Sequence, residues 1–414
     1  MKILIVSQYF WPEAFIINDL VIHIKNLGHE VVVLTGKPNY PDGNIFEGYD
    51  TKSMQHEKYA GSIDVFRVPL RPRKSSHSKD LMLNYLSFVC SGLRYFPKMV
   101  HSREFDAILV YAPSPITSAI TAIPLKWKKK AHLALWVQDL WPQSLAATGH
   151  VKNPFLIKSV SWLVRGIYFF ADTLLIQSRA FYEPVARFAS DNKIVYYPNS
   201  IDTPSNTKKN VETIPRDLIH LLQSKFCIVF AGNVGEAQSV ETIVQAALKL
   251  KDIPEINVVL VGSGSRLDWV RKQQQELNLD NLYLAGRFSM SVMPQIYRYS
   301  SGLLVTLKSE AIFSLTVPSK VQAYLAAGKP IIAALNGEGA RIIEESASGY
   351  TCASEDAHAL ASTIKTLYEL DEVSRNKMGE NGRAYFNENF EMKRQAEHLI
   401  EILEQRITLK KRGC

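Results

Sequence analysis

A chain of 414 residues with 46% hydrophobic content can bury a large core, and its length points to two or three domains. Its four cysteines (Cys90, Cys227, Cys352 and Cys414) lie far apart, without the paired spacing that zinc or redox chemistry needs, which points to a reducing cytoplasm and no structural disulfides. The net charge of +8 sits in one half: residues 1–200 hold 23 Lys and Arg against 15 Asp and Glu, whereas residues 201–414 hold 25 of each.

In chain order, MKILIVSQYF reads as an apolar strand running into a loop, too short for a signal peptide. DLVIHIKNLGHE follows as an amphipathic helix ending near Gly28, then VVVLTG as a second strand. FDAILVYAP, AHLALWVQDL and ADTLLIQS repeat the pattern of an apolar strand that stops at polar residues. The longest uncharged run, Ala107 to Leu125, has the length of a membrane span, but Pro113, Pro115 and Pro124 argue for strand, loop and helix instead. The polar segment Asn199 to Asp217 reads as a linker. After it FCIVFAG, VETIVQAALKL, INVVLVGSGS, NLYLAGRF, SGLLVTL and PIIAAL restart the alternation. Continuous apolar strands alternating with helices predict α/β domains with parallel sheets covered on both faces. The expected division is 1–200 and 218–384, with a last helix at about 385–405 able to pack on either.

The basic excess clusters at Arg67 to Lys79 and at Lys126 to Lys130. No RNA-binding aromatic motif, helix-turn-helix signature or zinc spacing accompanies it, so nucleic acid is not the expected partner. Basic residues around Trp127, near the apolar segment Leu81 to Met99, suit an anionic membrane surface or a solvated basic face.

In open parallel sheets, ligands bind beyond the carboxyl ends of the strands. In the second half those ends carry Gly232-Asn233, Gly262-Ser263-Gly264, Gly286-Arg287, Glu310 to Thr316, and Ser319-Lys320. Ser319 and Lys320 follow Pro318 at the open end of a helix, where free backbone N–H groups and a cation make an anion seat. Several such ends around one sheet point to a nucleotide diphosphate.

The ordered motifs LGHEVVVLTG, VQDLWPQS, YYPNSIDT, FAGNVGEAQ, VGSGS and PSKVQAYLAAGKP resemble the retaining glycosyltransferases of family 4, from Lys2 to about Gln405. SQYFWPE, KPNYPDG and QDLWPQS are similar to transferases of bacterial surface polysaccharide assembly, several of the N-acetyl-L-fucosamine type. The resemblance implies a GT-B architecture, two doubly wound Rossmann-like domains facing a cleft, with the acceptor held by the first and a nucleotide-sugar, UDP-linked, by the second. It implies no cofactor and no metal, and the chain has no Asp-x-Asp pair. It implies a polyprenyl-diphosphate-linked or glycan acceptor and a cytoplasmic enzyme, peripheral at the inner face of the plasma membrane.

Residue by residue, Gly232 falls in the family's glycine turn, Ser319 and Lys320 at its phosphate helix, and Arg287 beside the base. Gly262, Phe313 and Ser314 join the expected donor set. Asn233 and Gln238 stand where many members have Arg and Lys, and Leu315 and Ala323 where many have glutamates. Asp139, at the strand end VQDLWP, is the catalytic candidate, able to orient the acceptor hydroxyl, take its proton or stabilise positive charge; capping the next turn is its plainer role. Glu310 is a second candidate for the sugar, and Glu13, Asn39 and Tyr40 are candidates for the acceptor. A front-face route with leaving-phosphate assistance fits the family that the chain resembles. A GT-B epimerase and a non-catalytic assembly scaffold stay open; a Rossmann oxidoreductase does not, because SQYFWPEAF replaces the required G-x-G-x-x-G turn.

Overall fold

The structure is a computed structural model that describes residues 1–74, 78–147, 153–202 and 214–412. The chain forms two compact units, residues 1–200 with 392–414, and residues 201–391. Part of the first basic cluster (75–77) and most of the expected linker (203–213) lie outside the described residues.

Among the described residues the first unit contains β1 (Lys2–Ser7), β2 (Glu30–Thr35), β3 (Gln55–Tyr59), β4 (Ile63–Arg67), β5 (Ala107–Ala112), β6 (His132–Val137), β7 (Thr173–Ile176) and β8 (Ile194–Tyr196). They lie in the order β3-β4-β2-β1-β5-β6-β7-β8. Every pairing is parallel except β3 with β4, a hairpin at one edge. Strand parity divides the core. Ile3, Ile5, Val31, Val33, Leu109 and Trp136 face the helix Ile16–Asn26 and the terminal helix Met392–Arg412. On the sheet's other side, the helix Ser78–Met99 packs on the turn Ile116–Ala122, which also meets β5 and the helix Pro154–Phe170.

The second unit contains β9 (Phe226–Ala231), β10 (Ile256–Val261), β11 (Leu282–Gly286), β12 (Gly302–Thr306), β13 (Ile331–Ala334) and β14 (Gly349–Cys352), an all-parallel sheet in the order β11-β10-β9-β12-β13-β14. Cys227, Val229, Val259, Leu303 and Ile331 face one helical layer, and Ile228, Phe230, Val258, Leu304 and Ile332 face the other. Both units are therefore α/β sandwiches buried on two faces, which explains the continuous apolar strands.

One expectation is corrected. The segment 385–405 is not a single helix: Glu372–Asn389 belongs to the second unit, and Met392 opens a new helix whose buried Met392, Ala396, Leu399 and Leu403 complete the first unit's core. Leu399→Ala removes a fully buried side chain from that core. It is expected to destabilise the first unit by roughly 2–5 kcal/mol in urea unfolding.

Candidate functional site

Each unit gathers its polar side chains at the carboxyl edge of its sheet. In the second unit the loops after β9, β10 and β11 are tied together by backbone hydrogen bonds. Gly232 N–H donates to the Val261 carbonyl at 2.8 Å, Val234 N–H to Ser263 at 2.9 Å and Gly262 N–H to Gly286 at 2.7 Å. These approaches need glycine. Gly232 has φ +128° and Gly262 φ +146°, and a Cβ on Gly262 would overlap the Gly232 carbonyl.

A Cβ on Gly232 would lie 2.8 Å from Lys320 Cε and 3.3 Å from its Nζ. Lys320 is the second residue of the helix Ser319–Ala327, which starts after an extended Pro318 and closes at Gly328 with φ +67°. The sequence motif at Gly232 and the one at Lys320, far apart in the chain, thus meet. Lys320 Nζ is buried without a hydrogen-bond partner among the described residues and sits 3.6 Å from the centroid of the Phe230 ring. Burial pulls its pKa down to about 7. A buried amine with no acceptor at the start of a helix has the chemistry to pair with an anion. Ser319 is the first helical residue and is exposed, and no side chain caps the helix, in keeping with an open start.

Asn233 Nδ2 donates to Gln238 Oε1 at 3.3 Å, so these two neutral residues of the expected donor set face each other. Their loop is anchored to the end of β12 by Lys308, whose N–H donates to Ala237 (3.0 Å) and whose Nζ pairs with Glu236 (2.7 Å), and by Thr306 bonding the Gln238 carbonyl. Phe313, Ser314 and Leu315 are half-buried on the short helix Ala311–Leu315, with the Ser314 carbonyl packed under Gly337. Glu310 precedes that helix, exposed, and its side chain does not cap it. Arg287 is also exposed. Among the described residues no contact draws either of them to Lys320.

In the first unit the loops after β1 and β2 are locked by Glu13. Its buried carboxylate accepts the Phe10 N–H at 3.1 Å and the Asn39 and Tyr40 N–H groups at 2.8 Å each. Burial raises its pKa to about 7 against the pull of those three donors. Asn39 is buried too, donating to the Lys37 carbonyl and accepting from Arg73 and Asn84. Tyr40 alone of the three is exposed; its ring packs on Tyr9 and Phe15 under the Arg73 guanidinium. Glu13 and Asn39 therefore shape the loop that presents Tyr40.

Asp139 follows β6. Its carboxylate accepts from Trp141 Nε1 (3.1 Å) and is also hydrogen-bonded to Ser144, Ser114 and the Leu140 N–H. Burial nevertheless raises its pKa. Ser114 bonds Tyr85, which bonds Tyr9, so Asp139 joins the Tyr9–Phe15–Tyr40 cluster through one chain of hydrogen bonds. Sequence reasoning missed Phe230, Ser114, Asn84 and Tyr85. Trp141 and Ser144 were visible in the quoted motif QDLWPQS, but the others come from elements distant in the chain.

Residues 15–200 match the glycosyl transferase 4-like domain and residues 218–385 match glycosyl transferases group 1. Together the matches span most of the chain. The chain belongs to the GT-B glycosyltransferases. It is 25% identical to the putative colanic acid biosynthesis glycosyl transferase WcaI of Escherichia coli (strain K12), over 79% of this chain and 82% of the relative. It is 29% identical to the probable glycosyltransferase WbjE of Pseudomonas aeruginosa, over 72% and 74%. Its fold is similar to that of Anabaena HepE in complex with UDP (15% identity, TM-score 0.67, covering 98% of this chain and 100% of that one). It is also similar to sucrose-phosphate synthase from Thermosynechococcus elongatus (16% identity, TM-score 0.71, 99% of each chain).

Two substitutions separate structural from chemical roles in this glycosyltransferase. Glu13→Gln turns an amide N–H toward a buried N–H donor and is expected to lower stability by about 1–3 kcal/mol in urea unfolding. An unchanged midpoint would remove Glu13 from the loop lock. Asp139→Asn keeps the shape and removes the charge. A base or charge-stabilising role gives a large loss of turnover with the melting temperature held, whereas a turn-capping role gives a lower melting temperature and near-normal turnover in the folded fraction.

Proposed function

We propose that this glycosyltransferase moves a sugar, with retention, from a UDP-sugar to a lipid-linked or glycan acceptor in bacterial surface polysaccharide assembly, without a metal. The observation that carries the proposal is the unpartnered Lys320 amine beside Gly232 at the start of the helix Ser319–Ala327. The names of the relatives, one in colanic acid biosynthesis, support the pathway class, and the UDP held by HepE supports the nucleotide.

In this reading the leaving diphosphate takes the anion seat. Its charge keeps Lys320 as the ammonium, and the first N–H groups of the helix add their dipole. With Asn233 and Gln238 neutral, Lys320 carries more of the neutralisation than it would beside two further cations. Departure of the diphosphate leaves an oxocarbenium-like sugar, and the acceptor attacks on the same face as the leaving oxygen takes its proton. Asp139 orients the acceptor hydroxyl or stabilises the positive centre, and Tyr40 offers an aromatic face to the acceptor. Glu310, Phe313, Ser314 and Leu315 line the donor sugar, and Arg287 meets the base. An N-acetylamino sugar is the proposed donor group. Peripheral attachment at the cytoplasmic face of the membrane follows from a lipid-linked acceptor; among the described residues no helix is long and apolar enough to cross a membrane.

A thermal-shift and calorimetric panel of UDP-, GDP-, TDP- and ADP-sugars tests the donor class, with a selective response to UDP-sugars expected. Lys320→Ala is expected to weaken that binding by roughly 1.5–3 kcal/mol, about 10- to 150-fold. Equal response to all four nucleotides, or unchanged affinity in the variant, would overturn the assignment. Transfer of labelled sugar, rather than its epimerisation or no turnover, separates the enzyme from an epimerase and from a scaffold.

A further inference from the structure

The helix Pro154–Phe170 is apolar on two sides. Val164, Ile167 and Tyr168 are buried in the first unit. The opposite side carries Phe155, Leu156, Trp162, Leu163 and Phe169, all exposed, with Phe155 at 81%, Trp162 at 66% and Phe169 at 72% of their full surface. At about 100° per residue these five fall on one stripe, and Lys158 and Arg165 line its edge. The stripe continues beyond the helix: Phe169 meets Phe170 edge-on at 5.2 Å, and Phe170 meets Trp127, itself 58% exposed, at 5.4 Å.

A contiguous apolar face of this size on a soluble surface marks an interaction site. Its charge selects the partner. Neither the helix nor the adjoining segment Ile123–Lys130 contains an acidic residue, and Lys128, Lys130, Lys158 and Arg165 are exposed around it. The helix ends are also fitted for a low-dielectric surface. The Asn153 side chain caps the Phe155 N–H, and Lys193 Nζ donates to the Tyr168, Phe169 and Ala171 carbonyls at 3.2, 2.8 and 2.9 Å. Lys126 Nζ donates to the Phe170 carbonyl at 2.7 Å. At 17 residues the helix is about 25 Å long, suited to lying in the plane of a bilayer rather than spanning it.

We propose that Phe155, Leu156, Trp162, Leu163, Phe169 and Trp127 insert into the headgroup region of an anionic lipid bilayer, with Lys128, Lys130, Lys158 and Arg165 bound to its phosphates. This deepens the membrane side of the proposed function, on which its biological sense rests. It adds Pro154–Phe170 to the segment Leu81–Met99 noted from sequence, which turns Asn84 and Tyr85 toward the first unit's site and Phe88 and Phe96 into its core while leaving Met82, Leu86 and Leu93 exposed.

Sedimentation of the full chain with phosphatidylglycerol-containing vesicles, and with pure phosphatidylcholine vesicles, tests the proposal without donor or acceptor. Wild-type protein is expected to bind the anionic vesicles, more weakly as salt rises, and its tryptophan fluorescence to shift to the blue. The triple variant Phe155→Ser, Trp162→Ser, Phe169→Ser is expected to bind at least about tenfold more weakly, since each inserted aromatic contributes on that order. Lys158→Glu with Arg165→Glu should remove the preference for anionic lipid. An unchanged melting temperature and an unchanged UDP-sugar response show that the variants are folded and that the donor reading stands independently. The proposal is overturned if wild-type protein fails to sediment with anionic vesicles, if the triple variant sediments like wild type, or if the face instead holds a dimer that the triple variant dissociates.

Discussion

A charged ammonium cannot be buried without an anion except at a cost of several kcal/mol, and the amine of Lys320 is buried with only an aromatic ring beneath it. Several residues of the second unit make room for that side chain. Gly232 lacks a side chain where the lysine stem passes, and Gly262 lacks one where the Gly232 carbonyl passes. Pro318 and Gly328 bound a short helix whose first N–H groups open beside the amine. The Phe230 ring supports the cationic form from below without competing for its hydrogen bonds.

The first unit solves a different problem, holding two loops and an acidic side chain rigid at a strand edge. Glu13 does this with three backbone donors, and Asn39 and Asn84 extend the lock to the helix Ser78–Met99. The chain from Asp139 through Ser114 and Tyr85 to Tyr9 couples the carboxylate to the exposed Tyr40 platform. Asp139 thus has both a structural role and an environment that raises its basicity.

The alternating strands and helices were legible because parallel strands buried on both faces are continuous apolar runs. The edge hairpin was not: QHEKY in β3 alternates polar residues and pairs only with IDVFR in β4. Lys320 and Asp139 were legible because each sits directly at the end of a recognisable element. Their surroundings were not, since Phe230, Ser114 and Tyr85 reach them across the sheet from distant segments. The single helix expected at 385–405 conceals a break at Phe390–Glu391, where the chain passes between units, and local composition carries no mark of that exchange. The helix Pro154–Phe170 escaped notice because a helix apolar on both sides reads like one buried in a core.

The central claim is that a nucleotide diphosphate supplies the charge partner of Lys320. With the free amine at a pKa of about 7, donor affinity should be full below that value and fall as pH rises above it, because binding must then draw a proton from solution. The direct measurement is calorimetry of UDP-sugar binding at about pH 8 in buffers of differing ionisation enthalpy, since the diphosphate of a UDP-sugar does not itself titrate there. The account predicts uptake of nearly one proton per site, absent in Lys320→Met. Binding of the UDP-sugar to the wild-type protein without proton uptake would contradict it.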